Sequence, residues 1–304
     1  MFIALLATML TTVQPAHAQQ LALVPFANAP FPYDGVVPDT GAPFLDVSSN
    51  GRRGHAAPRG GVYWADETYA DNRGLLFVPA GFDPTRPALV VVFFHGNNAT
   101  LERDVLGRQQ VAAQVEASRL NAILVAPQFA VDALDSSAGR FWERGAFARW
   151  LGEAGDRIAA MTGDIRMAIA FDQMPVLLIA YSGGYLPAAY AATVGGAGGR
   201  ICGLVLLDAV YGEEARFADW IARREGFFLS SYSSSSLAGN QTLQSVLNQR
   251  GISFVRGGIR RLDPTAITFV PAGAGASHEG FVTRAFRPYP ITWILSEIAV
   301  NGAC

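Results

Sequence analysis

The sequence predicts an α/β fold with a mainly parallel central sheet and helices on both faces. Three observations predict it. Continuous apolar runs recur at 88–94 (ALVVVFF), 122–127 (AILVAP), 176–181 (VLLIAY) and 201–208 (ICGLVLLD). Unbroken runs of this kind suit strands buried on both faces. Between them lie segments with apolar residues at helical intervals, and alternation of strand with helix implies a parallel sheet covered on both sides. The 304 residues are 50% hydrophobic and 16% charged, which is enough for one sizeable core.

In chain order, 19–60 is rich in Pro and Gly and reads as an irregular arm. Segments 61–70 and 75–79 read as a pair of early strands, and 88–94 as a central strand. Helical spacing follows over 101–120, then a strand at 122–127. Trp142, Phe147, Trp150, Leu151 and Ile158 recur at helical intervals within 141–161. This aromatic stretch suits either a cap over the sheet's C-terminal edge or an ordinary amphipathic helix. After the strands at 176–181 and 201–208, 213–224 reads as a helix, 226–231 as a strand and 243–248 as a helix. Segment 267–271 is a last strand and 291–300 a terminal helix. The serine-rich patch 230–236 reads as a loop. One domain over 61–304 is the simplest partition.

Residues 1–18 read as a secretion signal. The apolar run 3–10 is too short to span a bilayer, and Ala16-His17-Ala18 gives a small-x-small cleavage pattern. The expected location is periplasmic or secreted, with no stable membrane insertion. Formal net charge is -2, which gives no electrostatic reason to expect nucleic acid as a partner. The two cysteines, Cys202 and Cys304, fall at the same end of the predicted topology, opposite the strand ends that carry loops. They suit a disulfide in an exported chain, or two separate thiols.

The chemistry begins at VLLIAYSGGY, 176–185. An apolar strand stops at Ser182 and a helix follows. This is a nucleophile-elbow pattern, G-x-S-x-G, with Ala180 in place of the first Gly. The serine backbone there is strained, and the positions two before and two after it must carry tiny side chains; Ala180 and Gly184 comply. A serine hydroxyl needs a base, and the base needs an acid to fix its tautomer. Of four histidines, His17 leaves with the signal, His55 lies in the arm and His95 ends a strand, where it suits a structural role. Only His278 follows the serine on a loop at the sheet's C-terminal edge. Asp208 ends its strand at that same edge and is the favoured acid, with Glu213, Glu214 and Asp263 as fallbacks. Oxyanion donors are expected from the Gly183 N–H and from the loop His95-Gly96-Asn97-Asn98. There Gly96 permits close approach, and Asn97 or Asn98 supplies the N–H. Asn98, Tyr181 and Tyr211 are candidate substrate contacts. No HExxH, clustered Cys/His set or P-loop is visible, so no metal or other cofactor is expected. The glycine run 195–199 reads as a loop below the sheet.

Taken together, Phe94-His95-Gly96, Ala180-Tyr181-Ser182-Gly183-Gly184, Asp208 and His278, in the order Ser, Asp, His, resemble the α/β-hydrolase superfamily. The segment 75–84 (LLFVPAGFDP) resembles its secreted serine esterases and lipases. The likeness spans 61–304. It implies hydrolysis of a small-molecule or polysaccharide ester through an acyl-serine, without a cofactor. Two departures stand out: Ala180 replaces the first elbow Gly, and the acid comes one strand earlier than the commonest placement. An amide or peptide hydrolase, and a non-catalytic binding protein on the same scaffold, are the alternatives.

Overall fold

The computed structural model describes residues 18–259 and 261–304. All but the last residue of the signal segment lies outside them. The chain runs β1 (Gln20–Pro25), β2 (Val47–Ser49), β3 (Arg52–Ala56), β4 (Val62–Trp64), α1 (Ala65–Thr68), β5 (Arg73–Val78) and β6 (Leu89–Phe94). It continues through α2 (Val111–Ser118), β7 (Ala122–Pro127), α3 (Ala146–Thr162), α4 (Arg166–Gln173), β8 (Val176–Tyr181), α5 (Tyr185–Thr193) and β9 (Ile201–Leu207). It ends with α6 (Glu214–Ala222), β10 (Phe227–Tyr232), α7 (Leu237–Gln249), β11 (Val255–Arg256), β12 (Ile267–Pro271) and α8 (Pro290–Asn301).

Among the described residues, nine strands form one sheet in the order β1-β5-β7-β6-β8-β9-β10-β12-β11. β5 runs antiparallel to both β1 and β7, and from β7 through to β11 the neighbouring strands pair in parallel. Strand alternation divides the core in two. Val90, Val92 and Phe94 face one cluster with Phe147, Trp150, Ile158, Phe217 and Leu243. Leu89, Val91 and Phe93 face the other, with Val111, Val115, Ile291, Ile294 and Ile298. Thus α3 to α7 cover one face, and α2 and α8 the other.

The segment 19–60 is less irregular than its composition suggests. β1 extends the main sheet, pairing residue by residue with β5 from Gln20↔Val78 to Pro25↔Arg73. β2, β3 and β4 form a separate antiparallel sheet. Glu153 on α3 accepts the backbone N–H groups of Ala27 and Asn28, each at 2.8 Å. Phe31 packs on Tyr69, and Phe44 on His55, with ring centroids 4.9 and 4.4 Å apart. The segment is held by long-range rings and ion–dipole contacts, which no local pattern reveals.

Three other differences have local causes. Segment 61–70 is a short strand plus one helical turn, not a single strand. The helix expected over 101–120 is two pieces: a π-helix at Leu101–Arg108 capped by Thr100, then α2 after the left-handed Gln110. The stretch 141–161 is an amphipathic helix under the sheet rather than a cap. Phe141, Phe147 and Trp150 are buried in the core, and Trp142 alone of these rings borders the cavity described below.

Cys202 in β9 and Cys304 beyond α8 are joined, with Cα atoms 5.1 Å apart across a sequence separation of 102. Closing a loop of about 100 residues removes about 4.7 kcal/mol of unfolded-chain entropy in the chain-entropy account. Reduction is expected to lower the melting temperature by roughly 10 °C. Calorimetry with and without reductant checks this; an unchanged midpoint contradicts it.

Candidate active site

Parallel strands deliver their C-terminal ends to one rim, and the loops after β6, β8, β9, β10 and β12 all emerge there. β8 ends at Tyr181, and Ser182 follows with φ +50 on a tight turn, Ser182–Gly184, that leads into α5. A non-glycine residue at such a φ is strained. Close packing explains the neighbours. Ala180 is fully buried and pairs with Phe94 and Leu206 on the flanking strands. A Cβ at Gly184 would collide with the Phe94 carbonyl, and one at Gly96 would lie 2.8 Å from Ser182 Cβ.

His278, on the loop after β12, reaches both partners. Its Nε2 lies 2.9 Å from Ser182 Oγ, and its Nδ1 lies 2.7 Å from Asp208 Oδ2. The neutral tautomer that fits carries its proton on Nδ1 toward the carboxylate and leaves Nε2 to accept from the serine. The loop is fixed from beneath. Tyr181 Oη donates to the His278 carbonyl at 2.8 Å, and Arg108 on the π-helix donates to the Glu279 carbonyl at 2.6 Å. Burial pushes the Tyr181 phenol up to about 12, so it remains a donor. Tyr181 is therefore a support for the histidine loop, not a residue open to substrate.

Asp208 is 0% exposed, with φ +48. Burial alone would raise its carboxyl. Hydrogen bonds from His278, Ser235, Ser236 and the Ser233 N–H outweigh burial and hold it well below the usual carboxylate range. Glu213 instead pairs with Arg216, and Asp263 with Arg261, each at 2.7 Å. Ser233, Ser235 and Ser236, in the loop 230–236, thus join the site as donors to Asp208. Their only signal was an unusual run of serine in the loop beside the strand that ends in Asp208.

The loop after β6 meets Gly183. A Cβ there would collide with Asn97 Oδ1, so the Asn97 side chain lies directly against Gly183. The Asn98 N–H is spent on the Ala133 carbonyl at 2.9 Å, and its own carbonyl accepts from Arg103 at 2.6 Å. The Asn98 backbone is thus satisfied on both sides within the protein. Asn97 Oδ1 accepts from Ser136 Oγ at 3.1 Å, while its buried Nδ2 has no hydrogen-bond partner. His95 is buried and its imidazole pushed down by burial; it bonds the Gly96 carbonyl at 2.8 Å and accepts the Phe129 N–H at 2.9 Å. It holds this loop.

A cavity of about 330 Å³ borders the rim. Tyr185, Tyr211, Trp142 and Ser136 line one side, and Asp39, His55 and Arg59 of the N-terminal segment the other. Tyr211 links cavity to site: its Oη is 3.4 Å from His278 Nδ1. A larger cavity of about 800 Å³ lies at the opposite end of the sheet beside Cys304, away from these residues.

The strand order, the antiparallel second strand and the elbow after β8 together define the α/β-hydrolase fold. No protein-family model matches the chain, and no curated protein matches it. Among solved structures it is similar to the feruloyl esterase module from Clostridium thermocellum, at 15% identity over 88% of this chain and 95% of that one, with a TM-score of 0.47. It is also similar to an S-formylglutathione hydrolase from Agrobacterium tumefaciens, at 11% identity over 84% and 95%, with a TM-score of 0.45. A poly(3-hydroxybutyrate) depolymerase from Bordetella parapertussis gives 15% identity over 85% and 92%, with a TM-score of 0.43.

Two outcomes test this geometry. Gly184→Ala forces a Cβ against the Phe94 carbonyl and is expected to cost about 1–3 kcal/mol. Gly199→Ala, where a Cβ meets nothing within 4 Å, serves as the control, and thermal melts compare them. Asp208 supplies the second. Its folded carboxyl lies below the unfolded value of about 3.9, so its stabilisation is complete above that value and lost as pH falls through the folded one. Acid titration should therefore show wild type losing more stability below about pH 4 than Asp208→Asn.

Proposed function

We propose that this protein is an exported serine hydrolase that cleaves carboxylic esters through an acyl-serine. One observation carries the reading. Ser182, His278 and Asp208, far apart in sequence, form a continuous hydrogen-bonded line with spacings of 2.9 and 2.7 Å. A line of this kind suits proton transfer from a hydroxyl to an imidazole held by a carboxylate.

In this reading His278 Nε2 takes the Ser182 proton as Oγ attacks the ester carbonyl carbon. Negative charge builds on the former carbonyl oxygen. The Gly183 N–H, at the start of the turn into α5, and the Asn97 N–H serve as its donors, and the unspent Asn97 Nδ2 is a third. The imidazolium then gives its proton to the departing alkoxide, the C–O bond breaks and the acyl group stays on Ser182. Water, deprotonated by His278, attacks the acyl-serine; the acid leaves and Ser182 recovers its proton. Asp208 stays ionised throughout and stabilises the imidazolium. The cavity lined by Tyr185 and Tyr211 receives one arm of the substrate, a small-molecule or polysaccharide ester.

Export is supported by the apolar run 3–10 with Ala16-His17-Ala18, and by the Cys202–Cys304 bond, which persists in oxidising compartments. No helix of the described residues is long and apolar enough to cross a membrane.

A fluorophosphonate is expected to label wild type at Ser182, and Ser182→Ala to lose both labelling and turnover of p-nitrophenyl esters with its fold intact. Asp208→Asn should lower kcat on the order of 10⁴-fold by misorienting the imidazole. Ester turnover that survives Ser182→Ala refutes the nucleophile, and faster cleavage of matched amides than esters moves the activity to amide hydrolysis.

A further inference from the structure

We propose that the serine loop at 233–236, braced by Tyr211, is a positioning array that clamps Asp208 against His278. This rests on the hydrolase reading above and deepens it.

Both carboxylate oxygens are gripped. Oδ1 accepts the Ser233 N–H at 2.9 Å and the Ser236 hydroxyl at 2.5 Å. Oδ2 accepts the Ser233 hydroxyl at 2.7 Å and the Ser235 hydroxyl at 2.6 Å, besides His278. Each hydroxyl has one proton to give; with the Ser233 and Ser235 protons both directed at Asp208, the 2.8 Å contact between their Oγ atoms carries none. Ser233 Oγ gives its proton to Asp208 and accepts the Ser235 N–H at 3.1 Å. Ser235 Oγ gives its proton to Asp208 and accepts from Tyr211 Oη at 3.0 Å. The loop is itself tied down: Asn240 Nδ2 on α7 donates to the Ser236 carbonyl at 2.9 Å, and Ser230 Oγ donates to Asn240 Oδ1 at 2.6 Å.

The terminal torsion of an aspartate is broad and soft. Donors on both oxygens fix the carboxylate plane, and only then does Oδ2 stay aimed at Nδ1. Ser233, Ser235 and Ser236 come from the loop after β10, the next strand along, where the sequence holds no Asp or Glu from 231 to 250. That loop supplies donors to an acid borne by its neighbour. Tyr211 lines the cavity, so the array also reaches the space where substrate is proposed to bind.

Removing one hydroxyl leaves a freer and more basic carboxylate. A more basic carboxylate holds the imidazolium proton more tightly, so the acid limb of the rate profile moves to higher pH. Ser235 is the residue to change, because it lies exposed on the loop. With p-nitrophenyl acetate, Ser235→Ala should lower kcat about tenfold with KM nearly unchanged, and raise the acid limb. Ser235→Thr, which keeps the hydroxyl, should restore both, and Ser233→Ala combined with Ser235→Ala should lower kcat further. Wild-type kcat and an unmoved acid limb in the double variant overturn the array, as does a Ser235→Thr variant no better than Ser235→Ala. The downfield NMR resonance of the His278 Nδ1 proton gives a readout independent of turnover. If wild type is silent to ester and fluorophosphonate, the hydrolase reading falls; a resonance shifted by Ser235→Ala still supports the array, and one unmoved overturns it.

Discussion

A carboxylate stripped of water at the end of a buried strand is the constraint from which the rest of the rim follows. Among the described residues, the ion partner of Asp208 is an imidazole rather than a Lys or Arg. Removing a lone carboxylate from water costs several kcal/mol unless fixed dipoles replace the solvent. Here three hydroxyls and a backbone N–H replace it. A guanidinium would solvate the charge too, but it would compete with the histidine for Oδ2 and weaken the pull on Nδ1. Neutral donors hold the charge in place and leave it available.

The second constraint is backbone strain shared among adjacent strand ends. Ser182, Asp208 and Asn98 have φ of +50, +48 and +53. None is glycine, and isolated residues held this way cost on the order of 1–3 kcal/mol each. They persist because the ladders beneath them are continuous, β6 with β8 and β8 with β9. The Asp208 N–H, beyond the end of β9, still finds the Ser231 carbonyl at 2.8 Å. The turn at each strand end is thus set by a sheet that has no freedom to relax.

What the sequence made legible follows from this division. Buried parallel strands write themselves as unbroken apolar runs, so β6, β7, β8 and β9 and the residues that cap them could be read directly. α4 escaped notice because only Met167 and Phe171 of its eight residues are buried, too few to mark a period. β1 escaped because an edge strand paired on one side leaves a weak alternation. The serine donors escaped for a different reason: a hydroxyl carries no signal of its own, and the loop gains meaning only when β10 is known to lie beside β9. Ser182 faces the rim, whereas the ring of its neighbour Tyr181 turns under the histidine loop, a difference no local pattern carries.

The N-terminal segment changes how the proposed chemistry is divided. The strand ends and the loop after β12 place Ser182, Asp208 and His278, while residues 37–59 supply the facing wall of the cavity. That wall is anchored at a distance from the rim, by Ala27 and Asn28 on Glu153 and by the His55 Nδ1 bond to the Phe44 carbonyl at 2.7 Å. Its charge is mixed: Arg59 stands with its guanidinium 5.4 Å from the Tyr211 ring centre, against Asp39 on the same wall and Glu213 opposite. Burial raises the Glu213 carboxyl, and Arg216 offsets only part of that. The cavity therefore sets the carboxylates of Asp39 and Glu213 beside the Arg59 guanidinium. Under the proposed hydrolase reading, choice of substrate and the acyl-transfer step fall to different parts of the chain, so that changes in 37–59 alter the first without moving the second.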